Sequence, residues 1–167
     1  MDDFTAISPQ DISDNPWKLI GNDWMLVTSG DINDFNTMTA SWGCVGVLWN
    51  KNICQVFVRP SRYTYEFIER TRELTLSFLP PERHDVLAFC GAHSGRDVDK
   101  CQSCGLTPFQ LGNCVAFNEA RLVLSCRVLY AQDIEMSHFV DDAVAKGYAG
   151  GDYHRMFTCE ITQVLKK

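Results

Sequence analysis

Strict two-residue alternation of apolar and polar side chains is what most restricts the fold of this chain. In LTLSF, residues 74–78, Leu74, Leu76 and Phe78 share one side, and in RLVLSCRVLY, residues 121–130, Leu122, Leu124, Cys126, Val128 and Tyr130 do the same. MFTCEITQVL near the C-terminus repeats the pattern with Phe157, Cys159 and Ile161. A period of two is the pleat of a β-strand with one buried face, and it cannot serve a helix. Three shorter runs, WMLVT (24–28), VGVLW (45–49) and ICQVFV (53–58), are rich in β-branched and aromatic residues and bounded by Gly, Asn or Pro. They read as strands too, giving at least six.

Short helical segments fall between these strands: YTYEFIERTR (63–72), a stretch near 82–90, DVDKCQSC (97–104) and SHFVDDAVAK running to Gly147. A Glu66–Arg70 pair four apart supports the first, and Gly105 and Gly147 are suitable residues to stop the last two. Strands at irregular spacing with short helices inserted argue for a mainly antiparallel closed or half-closed barrel rather than a doubly wound parallel sheet. No G-x-G-x-x-G is present to suggest a Rossmann site. At 167 residues the whole chain, 1–167, reads as one domain.

Charge and composition then narrow the partners. Twenty-one acidic against 15 basic residues give a net charge of −6, which repels a polyanion, so nucleic acid is not expected. No apolar run is long enough to span a bilayer and the start, MDDFTAIS, lacks a basic n-region, which suggests a cytoplasmic protein with no membrane partner. Eight cysteines in that setting suggest reduced thiols, with Cys126 and Cys159 on apolar strand registers as core filler.

Two segments have the local chemistry of anion sites. In HSGRDVDK (93–100), Ser94 and Asp97 form a capping-box pattern that would start a helix. Gly95 lets a ligand approach the backbone, and Arg96 and Lys100, four apart, would share one helix face toward a phosphate. An ordinary exposed cap with two solvated cations satisfies the same spacing. In VRPSRYT (58–64) a strand ends at Arg59, Pro60 breaks the ladder, and Ser61 or Thr64 is available to cap the next helix. A third segment, NTMTASWG (36–43), spends Thr37, Thr39 and Ser41 on hydroxyls where a plain turn would use other residues, and suggests a docking edge.

Taken in order, NTMTASWGCVGVLWN, VFVRPSRYTYEFIE, LTLSF, AFCGAHSGRDVDK and GLTP resemble the flavin reductase-like family of FMN-binding split barrels, and among them flavoredoxin-type members. GDYHRMFTCEI gives a weaker match near the C-terminus. The resemblance implies a mainly β fold, a six-stranded antiparallel split β-barrel with short peripheral helices. It implies a homodimer with one FMN per subunit close to the interface. It places Thr39, Ala40, Ser41 and Trp42 along the isoalloxazine ring, counts Asn36 among the cofactor-binding residues, and sets Arg59, Ser61 and Thr64 by the phosphate or ribityl chain, with Arg62 and Tyr63 in the same turn. Ser94, Gly95, Arg96 and Lys100 would close over the cofactor.

His154 matches a position near the flavin, or alternatively is a surface or dimer-contact histidine. No residue need act as a nucleophile, because the cofactor carries the chemistry while the protein binds, orients and tunes it. The implied activity is electron transfer from NAD(P)H through FMN to an acceptor. Two alternatives stand beside it: an FMN electron carrier served by a redox-protein partner, and a non-catalytic ligand- or metal-binding sensor barrel.

The cysteines depart from the family pattern. Cys101 and Cys104 form a C-x-x-C with Cys90 and Cys114 on either side. Structural thiols, a redox pair and a zinc site all fit that spacing, although zinc sites usually pair two such knuckles and an activated thiol usually sits at a helix N-terminus.

Overall fold

The computed structural model describes residues 3–167. Its strands are β1 (Thr5–Ile7), β2 (Met25–Asp31), β3 (Asp34–Ala40), β4 (Gly43–Leu48), β5 (Lys51–Val58), β6 (Glu73–Phe78), β7 (Pro108–Leu111), β8 (Cys114–Phe117), β9 (Leu122–Asp133) and β10 (Arg155–Lys166). The helices are α1 (Pro16–Gly21), α2 (Tyr63–Thr71), α3 (His84–Ala92), α4 (Lys100–Cys104) and α5 (Asp142–Ala145).

The main sheet runs β3-β2-β6-β9-β10-β5-β4, with β1 added to β10 and every pairing antiparallel. β3 and β4 are its two opposite edges, yet only Ser41 and Trp42 separate them along the chain. The three Cα steps from Ala40 to Gly43 reach at most about 11 Å, so the sheet must curl until its edges come close. The edges do not pair in the ladder, and this gap is the split of a split barrel. β10 helps the curl: its register against β9 shifts between Thr158 and Cys159 and again between Ile161 and Gln163, irregularities that bend and twist a strand. The six strands read from alternation are all present, as the six-stranded split barrel requires, and β1, β3 and the β7–β8 hairpin add to them.

The alternation buries what it should. Leu74, Leu76, Phe78, Leu122, Leu124, Cys126, Phe157 and Cys159 fill the barrel interior with Val56 and Val58. A second cluster lies outside the wall, where α3, the β7–β8 hairpin and Leu79 cover Leu26, Val123 and Leu165. β2 and the start of β9 are thus buried on both faces. Tyr130 is the exception in its run: it is 43% exposed and meets Trp49 edge-on.

Several local expectations are corrected. Arg70 pairs with Asp34, and Glu66 with Arg96, so the expected Glu66–Arg70 pair does not form. The segment 137–147 is broken into α5 between two short 3-10 turns, and Gly147 lies inside the second of these rather than ending a helix. Gly105 does close α4 in the left-handed region, at φ 59°. No helix among the described residues is long and apolar enough to cross a membrane.

Candidate functional site

Two cavities open beside the split and share a boundary. The first, about 240 Å³, is lined by Met38, Thr39, Ala40, Ser41, Trp42, Phe57, Arg59, Arg62 and His154. The second, about 180 Å³, is lined by Asn36, Met38, Ser61, Arg62, Tyr63, Thr64, Ala92, His93, Ser94, Gly95 and Lys100. Met38 and Arg62 border both, so the two cavities lie side by side along β3 and line a groove there, with small side chains at the Thr39–Trp42 end and hydroxyls and cations at the other.

The floor is β3 rather than a loose rim. Residues 36–40 pair with Met25–Ser29 of β2 along the whole stretch. Buried Thr37 sits opposite Thr28, their hydroxyls 2.8 Å apart, and Thr39 Oγ1 donates to the Leu87 carbonyl at 2.5 Å, tying β3 to α3. Asn36 Nδ2 donates to Thr64 Oγ1 at 2.7 Å and so fixes β3 against α2.

The two helix corners differ from the expected caps. Residues 95–97 form a turn, and the helix begins only at Lys100, capped by Asp99, whose side chain accepts from Gln102 N–H. Ser94 is therefore not an N-cap, although its Oγ accepts from the Arg96 N–H within the turn. Arg96 and Lys100 consequently point in different directions. Arg96 lies outside, paired with Glu66 and 4.4 Å over the Tyr63 ring. Lys100 is only 5% exposed, and its Nζ donates to the carbonyls of Thr37 and Cys90 at 2.7 and 2.9 Å. Burial, which disfavours the charged ammonium, brings the pKa of Lys100 down to about 8. Arg96 and Lys100 still border a common cavity of about 430 Å³ on the far side of the turn, with Gly95.

Gly95 itself is required by contact. A Cβ there would lie 1.9 Å from Asn36 Oδ1, so the turn presses on the residue that braces β3. At the other corner neither Ser61 nor Thr64 caps α2: the N-cap is Arg62, without a side-chain bond. Thr64 is fully buried as the acceptor for Asn36, and Ser61 is bonded to Asp152.

His154 is drawn to the split by two aromatic neighbours. Its ring lies 4.9 Å from that of Trp42, and its Nδ1 is 2.8 Å from the Tyr148 hydroxyl. Burial holds its pKa below the usual histidine value, and the nearby Arg59 guanidinium lowers it further against an opposing effect of Asp152. Arg59 lies over Tyr148 and donates to the Asp152 carbonyl at 2.7 Å.

Thus the structure brings Asn36, Thr39, Ala40, Ser41, Trp42, Arg59, Ser61, Thr64, Ser94, Gly95, Lys100 and His154 to one groove, and leaves the Arg96 guanidinium on its outer side. Sequence reasoning underweighted Arg62, whose guanidinium sits between the two cavities and donates to the Gly91 carbonyl at 2.9 Å. It missed Asp152 and Tyr148 altogether. The Gly150-Gly151-Asp152 turn was the signal available for Asp152, and Tyr148 carried none.

All eight cysteines are free thiols. Burial pushes Cys90 up to about 12 and Cys101 up to about 11, so both stay protonated near neutrality and neither has the character of an activated thiolate. Among the described residues no group of three or more His, Cys, Asp or Glu side chains could hold a metal ion.

A curled antiparallel sheet with a groove at its seam defines a split barrel. Comparison with known proteins supplies the family: residues 18–166 match the flavin reductase like domain, and the chain belongs to that family. Solved structures agree on the fold. An FMN-binding protein from Thermus thermophilus with bound 1-cyclohex-2-enone superposes with a TM-score of 0.68 at 20% identity, covering 97% of this chain and 77% of the other. A flavoredoxin from Methanosarcina acetivorans gives 0.67 at 23% identity over 87% and 68%. A flavoredoxin of Desulfovibrio vulgaris (Miyazaki F) gives 0.66 at 23% over 84% and 67%. A search of curated proteins finds no match.

Proposed function

We propose that the protein binds FMN along the β3 groove and passes electrons from NAD(P)H to an acceptor. The observation that carries this reading is the adjacency of the two cavities, which share Met38 and Arg62 as a common border. A flat ring suits the Thr39–Trp42 end, where Thr39, Ala40 and Ser41 bring small side chains and main chain together beside Trp42. A ribityl phosphate fits the end where Ser94, the Gly95 backbone and the α2 corner supply donors.

Bound flavin would supply hydride acceptance and both one- and two-electron transfer. The chain's own part is binding and tuning. Arg59 and Arg62 place positive charge beside the ring cavity, the Tyr148 hydroxyl lies 2.8 Å from His154 Nδ1, and Trp42 with Phe57 gives the cavity an aromatic wall. The purified protein is expected to be yellow, or to become so with added FMN, and its visible band to bleach anaerobically with NADH or NADPH. A colourless protein that takes up no FMN would defeat the reading. The flavoredoxins among the structural relatives favour a second version, in which a redox protein rather than a nicotinamide delivers the electrons. Stopped-flow mixing with each pyridine nucleotide separates the two.

The same reading includes a homodimer. β4 is an edge strand exposed along nearly its whole length, with Val47 75%, Trp49 55% and Trp42 54% accessible. An apolar edge of this kind needs covering. Sedimentation should give twice the 18.9 kDa chain mass. Val47→Glu is expected to shift the protein to the monomer, because two carboxylates buried across a symmetric contact repel each other. A dimer untouched by this change would place the contact elsewhere.

A further inference from the structure

Three donors at the corner between β5 and α2 converge on a carboxylate of the protein itself. Ser61 gives Asp152 both its backbone N–H, at 3.3 Å, and its hydroxyl, at 2.7 Å. Arg59 Nη1 lies 3.7 Å from Asp152 Oδ2. A backbone amide, a hydroxyl and a guanidinium make the donor set that recognises a phosphate.

Asp152 reaches this corner from a left-handed stretch of backbone, Gly151 at φ 76° and Asp152 at φ 54°. Its main chain is held by Arg59, but its side chain is 36% exposed, so the carboxylate has solvent to swing into when a competing anion arrives. Neither His154 nor Arg59 depends on that carboxylate for its position. His154 accepts from the Ile134 N–H at 2.9 Å through its carbonyl and is held by Tyr148 through its ring. Arg59 is held by the main-chain carbonyl of Asp152 and by the Tyr148 ring, contacts that survive replacement of the carboxylate.

We propose that Asp152 is a specificity-determining residue: its carboxylate occupies the anion corner of the groove in the free protein, and a phosphorylated flavin must displace it. Asp152 then weighs against FMN while leaving unphosphorylated riboflavin unaffected. This rests on the flavin reading of the groove.

The test is Asp152→Asn in the full chain, with FMN and riboflavin affinities read from quenching of flavin fluorescence. The amide keeps the size and an acceptor for Ser61 but removes the competing charge. FMN binding is expected to tighten about tenfold, and riboflavin binding to stay within about twofold. Asp152→Ala, which removes the acceptor as well, should move FMN in the same direction. Wild-type protein that binds FMN, with Asp152→Asn binding it equally or more weakly, would overturn the proposal. If neither form binds any flavin, the functional reading falls by itself, and inorganic phosphate followed by calorimetry then decides the corner. Tighter phosphate binding by Asp152→Asn would sustain an anion site held by Asp152, and equal binding would remove it.

Discussion

Arg62→Met is expected to bind FMN about a hundredfold more weakly than the wild-type protein, the cost of removing a charged donor from a half-buried ligand groove. Arg62 is the cation common to the two cavities, where a ribityl chain would pass from ring to phosphate. Burial lowers its pKa, so its guanidinium is already partly stripped of water and gains from a fixed anionic or polar partner. Methionine keeps the packing volume and loses only the donors, including the one to the Gly91 carbonyl. Arg96→Met is the matched control. Its guanidinium is held on the outer surface by Glu66 and Tyr63, and its removal should change FMN affinity by less than about threefold. Fluorescence titration of the two variants checks this. Equal losses would mean that the groove is not the binding path.

The protein should lose stability as the pH is raised from about 9 toward 11, and the buried thiols set the direction. Cys90 and Cys114 are pushed up to about 12 and Cys101 up to about 11 by burial, from an ordinary value of 9.0. A folded pKa above the unfolded one gives stability that is complete below pH 9 and is lost as the pH climbs through the folded value. Each thiol then lowers stability with every pH unit, because the unfolded chain releases its proton and the folded one does not, and half-buried Cys101 does so least. Lys100 works the other way. Its folded pKa is lowered from 10.5 to about 8, so its burial cost is relieved as the pH rises between those values. Three thiols outweigh one lysine, so the net direction is a loss of stability with rising pH. Circular dichroism melts across this range, in reductant, test the prediction. A melting temperature that rises from pH 9 to 11 would contradict it. Lys100→Met should make the alkaline fall steeper, since the opposing group is gone.

The strands and the interior were legible because alternation is local. A residue two positions from Leu74 or Phe157 must share its face whatever else the chain does, and those residues do line the barrel. The ends of elements and the partners of charges were less legible. Glu66 and Arg70 had the spacing of a pair, but Asp34 and Arg96 approach from other elements with better geometry. Ser94 had the pattern of a cap, but the intervening turn brings Asp99 to the helix start. β3 escaped notice since hydroxyls and an amide stand where a strand usually carries apolar side chains, and here those hydroxyls bond inward to β2, α2 and α3.

From the amino acids alone come the β architecture, the acidic net charge and the family, because each depends on residue types and short spacings. The fold alone decided that Ser41 and Trp42 bridge the two edges of one curled sheet, that Lys100 goes under the groove while Arg96 stays outside, that Arg62 borders both cavities, and that Asp152 meets Ser61 and Arg59 at one corner. The physical reason is common to all four: each depends on which distant donors and acceptors arrive within about 3 Å of one another, and only the closing of the sheet sets that.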